Sequence, residues 1–209
     1  MGEGERNITI NRMTRQKIAG LGLAVGILAA FGVIYSMNAK TTSGSLQQNQ
    51  PTMEMLWQSY PDLKSLTKQA NYVILGKLEN MTGTRGHPNA QGTPITDFDV
   101  TVERSMKGKL NVGDTIRVSQ FGGPSPYAVS EGDPIMKAGE EYVMFLVYDP
   151  TLEAYGYLGG PQGKFLVKES KVYSMDNVDP GADFVQIKVK DKPIEDFSAD
   201  ISQADGGAQ

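Results

Sequence analysis

A long apolar segment lies near the N-terminus of the chain, and apolar and polar positions alternate in many later segments. Residues 18–37 carry no charge, and a helix of that length rises about 30 Å, the thickness of a bilayer's hydrocarbon core. Four basic residues precede the segment, whereas Lys40 is the only basic residue that follows it closely. Because positively charged flanks stay in the cytoplasm, the pattern predicts a cytoplasmic tail (1–17), a single-pass transmembrane signal-anchor (18–37) in the cytoplasmic membrane, and an external remainder.

A cleaved signal peptide is the alternative interpretation of the same segment. Cleaved signals have a shorter apolar core, followed by small residues at the cleavage site. Here the run is longer, and the residues that would occupy the recognition positions are Met37 and Ala39, of which the first is large. The sequence therefore favours an uncleaved anchor, followed by a polar, flexible tether over residues 38–52.

Period-two alternation dominates the external part and is typical of β-strands. The segments predicted as strands are residues 72–78, 97–103, 115–121, 141–148, 155–158, 164–168, 171–175 and 184–189. Glycine and proline separate these segments, as expected for many short strands that close into a barrel. Residues 141–148 are almost continuously apolar, which predicts a strand buried on both faces.

Helical spacing of apolar residues occurs on both sides of the strands. Residues 53–69 predict two short helices separated at Pro61, which interrupts a helix. Residues 193–202 predict another, with Pro193 at the first helical position and Ile194, Phe197 and Ile201 on one face. The sequence thus predicts one external domain over residues 53–203, followed by a disordered tail at 204–209.

Charge and cysteine content exclude several functions. The chain has a net charge of −4 and no cysteine. No segment outside the membrane concentrates the positive charge that a nucleic-acid partner requires. Disulfides, thiol catalysis and cysteine metal sites are excluded, so the core alone must hold the domain together.

Five segments in succession resemble one bacterial extracytoplasmic β-domain family. They are residues 70–78, 102–108, 113–118 with Gly122 and Gly123, 139–146, and 159–165. The resemblance implies an OB-like (Greek-key) β-barrel, a mainly β fold with flanking short helices, distantly similar to the inhibitory domain of tissue metalloproteinase inhibitors. Those inhibitors use an N-terminal cysteine to reach zinc, which this chain lacks. The resemblance therefore implies the fold and does not carry inhibition.

Candidate catalytic and metal residues are few. His87 is the only histidine and lies in a glycine-rich segment that predicts an exposed loop. Asp97 and Asp99 share one face of a strand, and we interpret them as its solvated side rather than as an acid–base pair. The acidic residues 176–183 could ligate a cation, but their spacing does not fit a calcium loop. We therefore predict a non-enzymatic protein without a metal or cofactor.

Two glycine-rich loops are the candidate binding site, because loops on a rigid barrel commonly carry binding residues. Their candidate residues are Gln120, Gly122, Gly123, Gly160, Gln162 and Gly163. Neither loop has the lysine and hydroxyl residue of a phosphate loop. Trp57 could serve as a ligand platform, although a core position is the more ordinary role of a tryptophan.

These observations favour a membrane-anchored, external binding or interaction module of the cell envelope. Its expected partner is another envelope protein or a wall polymer. Two alternatives stay open: regulation or inhibition of an extracellular protease, by analogy of fold alone, and a hydrolase whose carboxylates Asp97, Asp99 and Asp176 would have to converge in one pocket.

Overall fold

A computed structural model describes residues 33–34, 51–130, 132–178 and 186–206. The chain divides into two compact units, Met1–Ala30 and Phe31–Gln209, and every described residue belongs to the second. The predicted anchor lies outside the described residues except for Val33–Ile34, which form a two-residue strand. None of the helices in the described ranges is long and apolar enough to cross a membrane.

The second unit is mainly β, with two short α-helices, as the alternating pattern predicts. Helix α1 is Leu63–Gln69 and α2 is Ile194–Ala204. The strands are β1 Val33–Ile34, β2 Thr52–Met55, β3 Tyr72–His87, β4 Ala90–Lys107, β5 Thr115–Phe121, β6 Val129–Ser130, β7 Glu141–Asp149, β8 Ala154–Tyr157, β9 Lys164–Lys168, β10 Lys171–Ser174 and β11 Lys192–Pro193. Short 3₁₀ helices at Gly160–Gly163 and Met175–Asn177 precede β9 and follow β10.

One sheet of eight strands has the order β11-β10-β9-β7-β3-β4-β5-β8. Strand β8 runs parallel to β5 and also pairs antiparallel with β7. The pairings β7-β3-β4-β5-β8 therefore return to β7. A separate small sheet has the order β1-β2-β6.

Two hydrophobic clusters use the opposite faces of the central strands. Val143 and Phe145 of β7 belong to the cluster that α1 and α2 cover, through residues such as Leu66 and Phe197. Their neighbours on the other face of β7, such as Met144, belong to a cluster that the strands β3, β4 and β5 share. The prediction that this segment is buried on both faces is confirmed.

Three local predictions differ from the structure. Residues 52–55 form a strand rather than a helix, because Met53 and Met55 alternate with exposed neighbours and β2 pairs with β6. Residues 186–189, the described part of the strand expected at 184–189, have irregular backbone, although Val189 still accepts a hydrogen bond from Ser174 N. The loop expected around His87 is instead the end of a long hairpin, since β3 continues to that residue.

Candidate functional site

The tip of the β3–β4 hairpin meets the β7–β8 loop through one arginine. Arg85 lies on β3, and its Nε is 2.7 Å from Oδ2 of Asp97 on β4. Its Nη2 donates a hydrogen bond of 3.2 Å to the carbonyl oxygen of Leu152 in the β7–β8 loop. The arginine therefore ties together two loops that lie far apart in sequence.

Asp97 is the centre of this connection and is only 6% exposed. Besides Arg85, it accepts a hydrogen bond of 2.5 Å from the hydroxyl of Ser119 on β5. The prediction that this side chain is solvated is wrong. Successive register shifts along β3 place Arg85 opposite Ile95, two residues from Asp97 on β4.

A row of three half-buried rings lies beside this connection. The ring of His87 stacks on that of Phe121, at 5.5 Å between centroids and 15° between planes. Trp57 meets Phe121 edge-on, with 5.7 Å between the two ring centroids. We call these three residues the aromatic row. The indole Nε1 of Trp57 is buried without a hydrogen-bond partner among the described residues.

His87 is held in its neutral form within this row. Its Nδ1 accepts a hydrogen bond from the backbone N–H of Asn89, so the ring proton lies on Nε2. Burial lowers the pKa of His87, the charge of Asp149 opposes this shift, and the charge of Arg85 adds to it. The hairpin tip therefore presents a neutral polar ring near neutral pH.

We expect the His87 ring to titrate below the ordinary value of about 6.5, because burial disfavours its charged form. Since it is the only histidine of the chain, one imidazole NMR signal followed against pH gives the value directly. Asp149→Asn should lower the pKa further by removing the attraction of the carboxylate. A value at or above 6.5 in the wild-type chain would contradict the burial described here.

The two glutamines predicted as ligands point into the protein and support loops. The amide nitrogen of Gln120 donates hydrogen bonds to the carbonyl oxygens of Asp133 and Pro134, and its oxygen accepts one from Met136 N. The side-chain oxygen of Gln162 accepts from the backbone N–H of Tyr60 at 3.3 Å. Both residues are buried, so these side chains are engaged in holding backbone.

The four glycines predicted with them are also buried, and each allows a close approach. A Cβ on Gly160 would lie 2.3 Å from the Trp57 ring, and one on Gly163 would lie 1.9 Å from the carbonyl oxygen of Leu158. A Cβ on Gly122 would meet the backbone of Ser130, and one on Gly123 the side chain of Thr84. The two glycine-rich loops therefore both reach the aromatic row: Gly122 follows Phe121 directly, and Gly160 packs on Trp57.

The remaining acidic candidates take separate partners. Asp99 accepts a hydrogen bond from the side-chain amide of Asn80. Asp176 lies beyond β10, where it accepts from Ser174 and pairs with Lys188 at 3.1 Å. These carboxylates do not join Asp97 in one network, and in the described ranges no cluster of histidine and acidic residues could hold a metal ion. Residues 179–183 of the acidic segment lie outside the described residues.

A shallow groove of about 470 Å³ lies between the two helices and residues 187–192. Leu63 and Phe197 contribute its apolar floor, and Lys188, Lys190 and Lys192 its rim. Lys192 pairs with Asp200 on the same rim. None of the predicted binding residues lines this groove.

No protein-family model matches the chain, and no curated protein matches it.

The sequence identifies His87 and Trp57 as candidate residues, but it does not predict that both rings contact Phe121. Phe121 ends the strand predicted at 115–121, and Arg85 falls in the glycine-rich segment predicted as a loop around His87. Regular pairing continued from Leu78 and Val100 would put Arg85 opposite Thr93, whereas the register shifts of the hairpin put it opposite Ile95, near Asp97.

Proposed function

We propose that this chain is a membrane-anchored, non-enzymatic binding module of the cell envelope. Its domain at residues 53–203 would stand outside the cytoplasmic membrane and bind a wall polymer through the face that carries the aromatic row. The uncharged segment 18–37 with its basic N-terminal flank supports the anchor and its orientation.

The finer fold that we propose is an OB-like Greek-key barrel. Supporting it are the pairings β7-β3-β4-β5-β8, which return to β7, and the parallel pairing of β5 with β8. In OB-folds, the second and third strands and the loops that flank them bind oligonucleotides or oligosaccharides. By that analogy, β4, β5, the hairpin tip and the β7–β8 loop form the binding face.

The main support for a binding site is the aromatic row, which lies beside the β3–β4 hairpin tip and the β7–β8 loop that Arg85 joins. Half-exposed rings offer flat apolar contact, and the neutral Nε2–H of His87 offers a hydrogen-bond donor. Neighbouring exposed groups, such as Asn89 and Gln91, are uncharged and can bond to hydroxyl groups. This combination suits a glycan better than an anionic polymer, since the chain's net charge is −4.

Right-side-out membrane vesicles that carry the full chain are expected to bind soluble fragments of wall glycan. His87→Ala should weaken this binding by about tenfold, the effect of losing roughly 1.4 kcal/mol of stacking and hydrogen bonding. Co-sedimentation of labelled glycan with the vesicles measures it.

Tyr173→Ala is the matched control, because Tyr173 lies on β10, away from β4 in the sheet order, and its hydroxyl bonds only to exposed Asp191 among the bonds described. This variant should bind like the wild-type chain. Equal loss in both variants, or no binding by wild-type vesicles, contradicts the glycan site. Binding to inside-out vesicles contradicts the orientation, and absence of the chain from the membrane fraction contradicts the anchor.

A further inference from the structure

A lysine and an aspartate meet inside the protein with no access to solvent. Lys164 is the first residue of β9, and Asp133 lies in the segment between β6 and β7. The lysine Nζ is 2.8 Å from Oδ1 of the aspartate, and both side chains are 0% exposed. Nζ also donates a hydrogen bond of 2.7 Å to the carbonyl oxygen of Pro134.

The surrounding groups fix both reactive ends. Tyr157 donates a hydrogen bond of 2.8 Å to the other carboxylate oxygen, Oδ2, and its ring lies 5.2 Å from the lysine Nζ. Gln120 donates hydrogen bonds to the carbonyl oxygens of Asp133 and Pro134 and so holds their backbone. Burial, and then the charge of Asp133, raise the pKa of Tyr157 well above its ordinary value, so this phenol remains a donor.

We propose that Lys164 and Asp133 condense to form an intramolecular isopeptide bond. The two side chains are already held in contact, which is the geometry that accelerates reaction between paired groups. Two charges held away from water are also costly, and condensation removes both of them.

The reaction needs no partner beyond these side chains and is balanced by the release of one water. A proton first passes from the ammonium to Oδ1, which leaves a neutral amine beside a carboxylic acid. The amine nitrogen attacks Cγ, and the negative charge that develops on Oδ2 is stabilised by the Tyr157 hydroxyl. A second nitrogen proton passes to Oδ1, the bond from Cγ to Oδ1 breaks, and water leaves as the amide forms.

The cross-link would have a clear structural effect. The chain has no cysteine, and β9 pairs with β7, the strand that the Asp133 segment enters. An amide between Lys164 and Asp133 would close this part of the sheet covalently and reduce the freedom of the unfolded chain, as a disulfide does. It uses none of the residues of the proposed binding face.

The decisive measurement is the intact mass of the full chain, purified in detergent. We expect a mass one water lower than that calculated for the unlinked chain. Proteolysis followed by tandem mass spectrometry should give a branched peptide that joins the segments containing Lys164 and Asp133. A full-mass wild-type chain overturns the proposal, and so does a lost water that maps elsewhere, for example to the Asp205–Gly206 sequence.

Two variants test the chemistry. Lys164→Arg keeps the positive charge but removes the nucleophilic amine, so it should have the full mass. Tyr157→Phe keeps the ring and removes the donor to Oδ2, and freshly made protein should be a mixture of linked and unlinked chains. A Tyr157→Phe chain that is linked as fast as the wild type would contradict the role of the phenol in the reaction.

Discussion

Lys164→Met is expected to destabilise the protein by about 3–5 kcal/mol, the usual cost of removing one partner from a buried ion pair, and loss of the proposed cross-link adds to this cost. Methionine fills a similar space but leaves the Asp133 carboxylate buried at 0% exposure without its cation. The Tyr157 hydroxyl cannot replace the charge, because it supplies a single hydrogen bond to Oδ2. Urea unfolding of the two chains, compared at their midpoints, measures the difference.

Lys171→Met is the matched control. Lys171 starts the next strand, β10, and also pairs with an aspartate, Asp191, but at 3.8 Å and with both side chains about half exposed. Exposed pairs contribute from about 0 to 1 kcal/mol, so this change should barely move the midpoint. Similar losses in the two variants would show that the burial of the Lys164 pair has no energetic consequence.

The sequence predicts this fold best where neighbouring residues alone determine the structure. Alternation gives the bounds of β5, and Pro193 with Ile194, Phe197 and Ile201 gives α2 to within a few residues. Both elements depend on local spacing and on which face must be buried. The four-residue strand β2 could not be predicted in this way, because the partner that makes it a strand, β6, lies more than seventy residues further along the chain.

The site is less accessible to prediction because its contacts are long-range. Asp97 follows the pattern of a solvated strand position, and the irregular register of the hairpin places Arg85 beside it. Gln120 and Gln162 have the composition of ligands, yet the tertiary structure uses both to bind backbone groups. Lys164 begins an alternating strand, where a lysine is ordinarily exposed.

Gly163→Ala is expected to cost about 3 kcal/mol or more, at the upper end of the range for overpacked positions. The new Cβ would lie 1.9 Å from the carbonyl oxygen of Leu158, and neither group is the end of a flexible side chain. The backbone of the 3₁₀ turn at Gly160–Gly163 must therefore move. Thermal or urea unfolding of the variant measures the loss.

Gly156→Ala separates this clash from the general effect of adding a methyl group. A Cβ on Gly156 would meet nothing within 4 Å, and alanine limits the unfolded chain, so the expected change is neutral or stabilising by up to about 1 kcal/mol. The free energies of unfolding of the two variants should thus differ by about 3 kcal/mol or more. Equal effects on stability would mean that the backbone of the turn before β9 can move at little energetic cost.

The large loss expected for Gly163→Ala has a structural reason, because the turn at Gly160–Gly163 positions two long-range contacts. Gln162 accepts a hydrogen bond from the backbone of Tyr60, and Lys164, one residue after the glycine, pairs with Asp133.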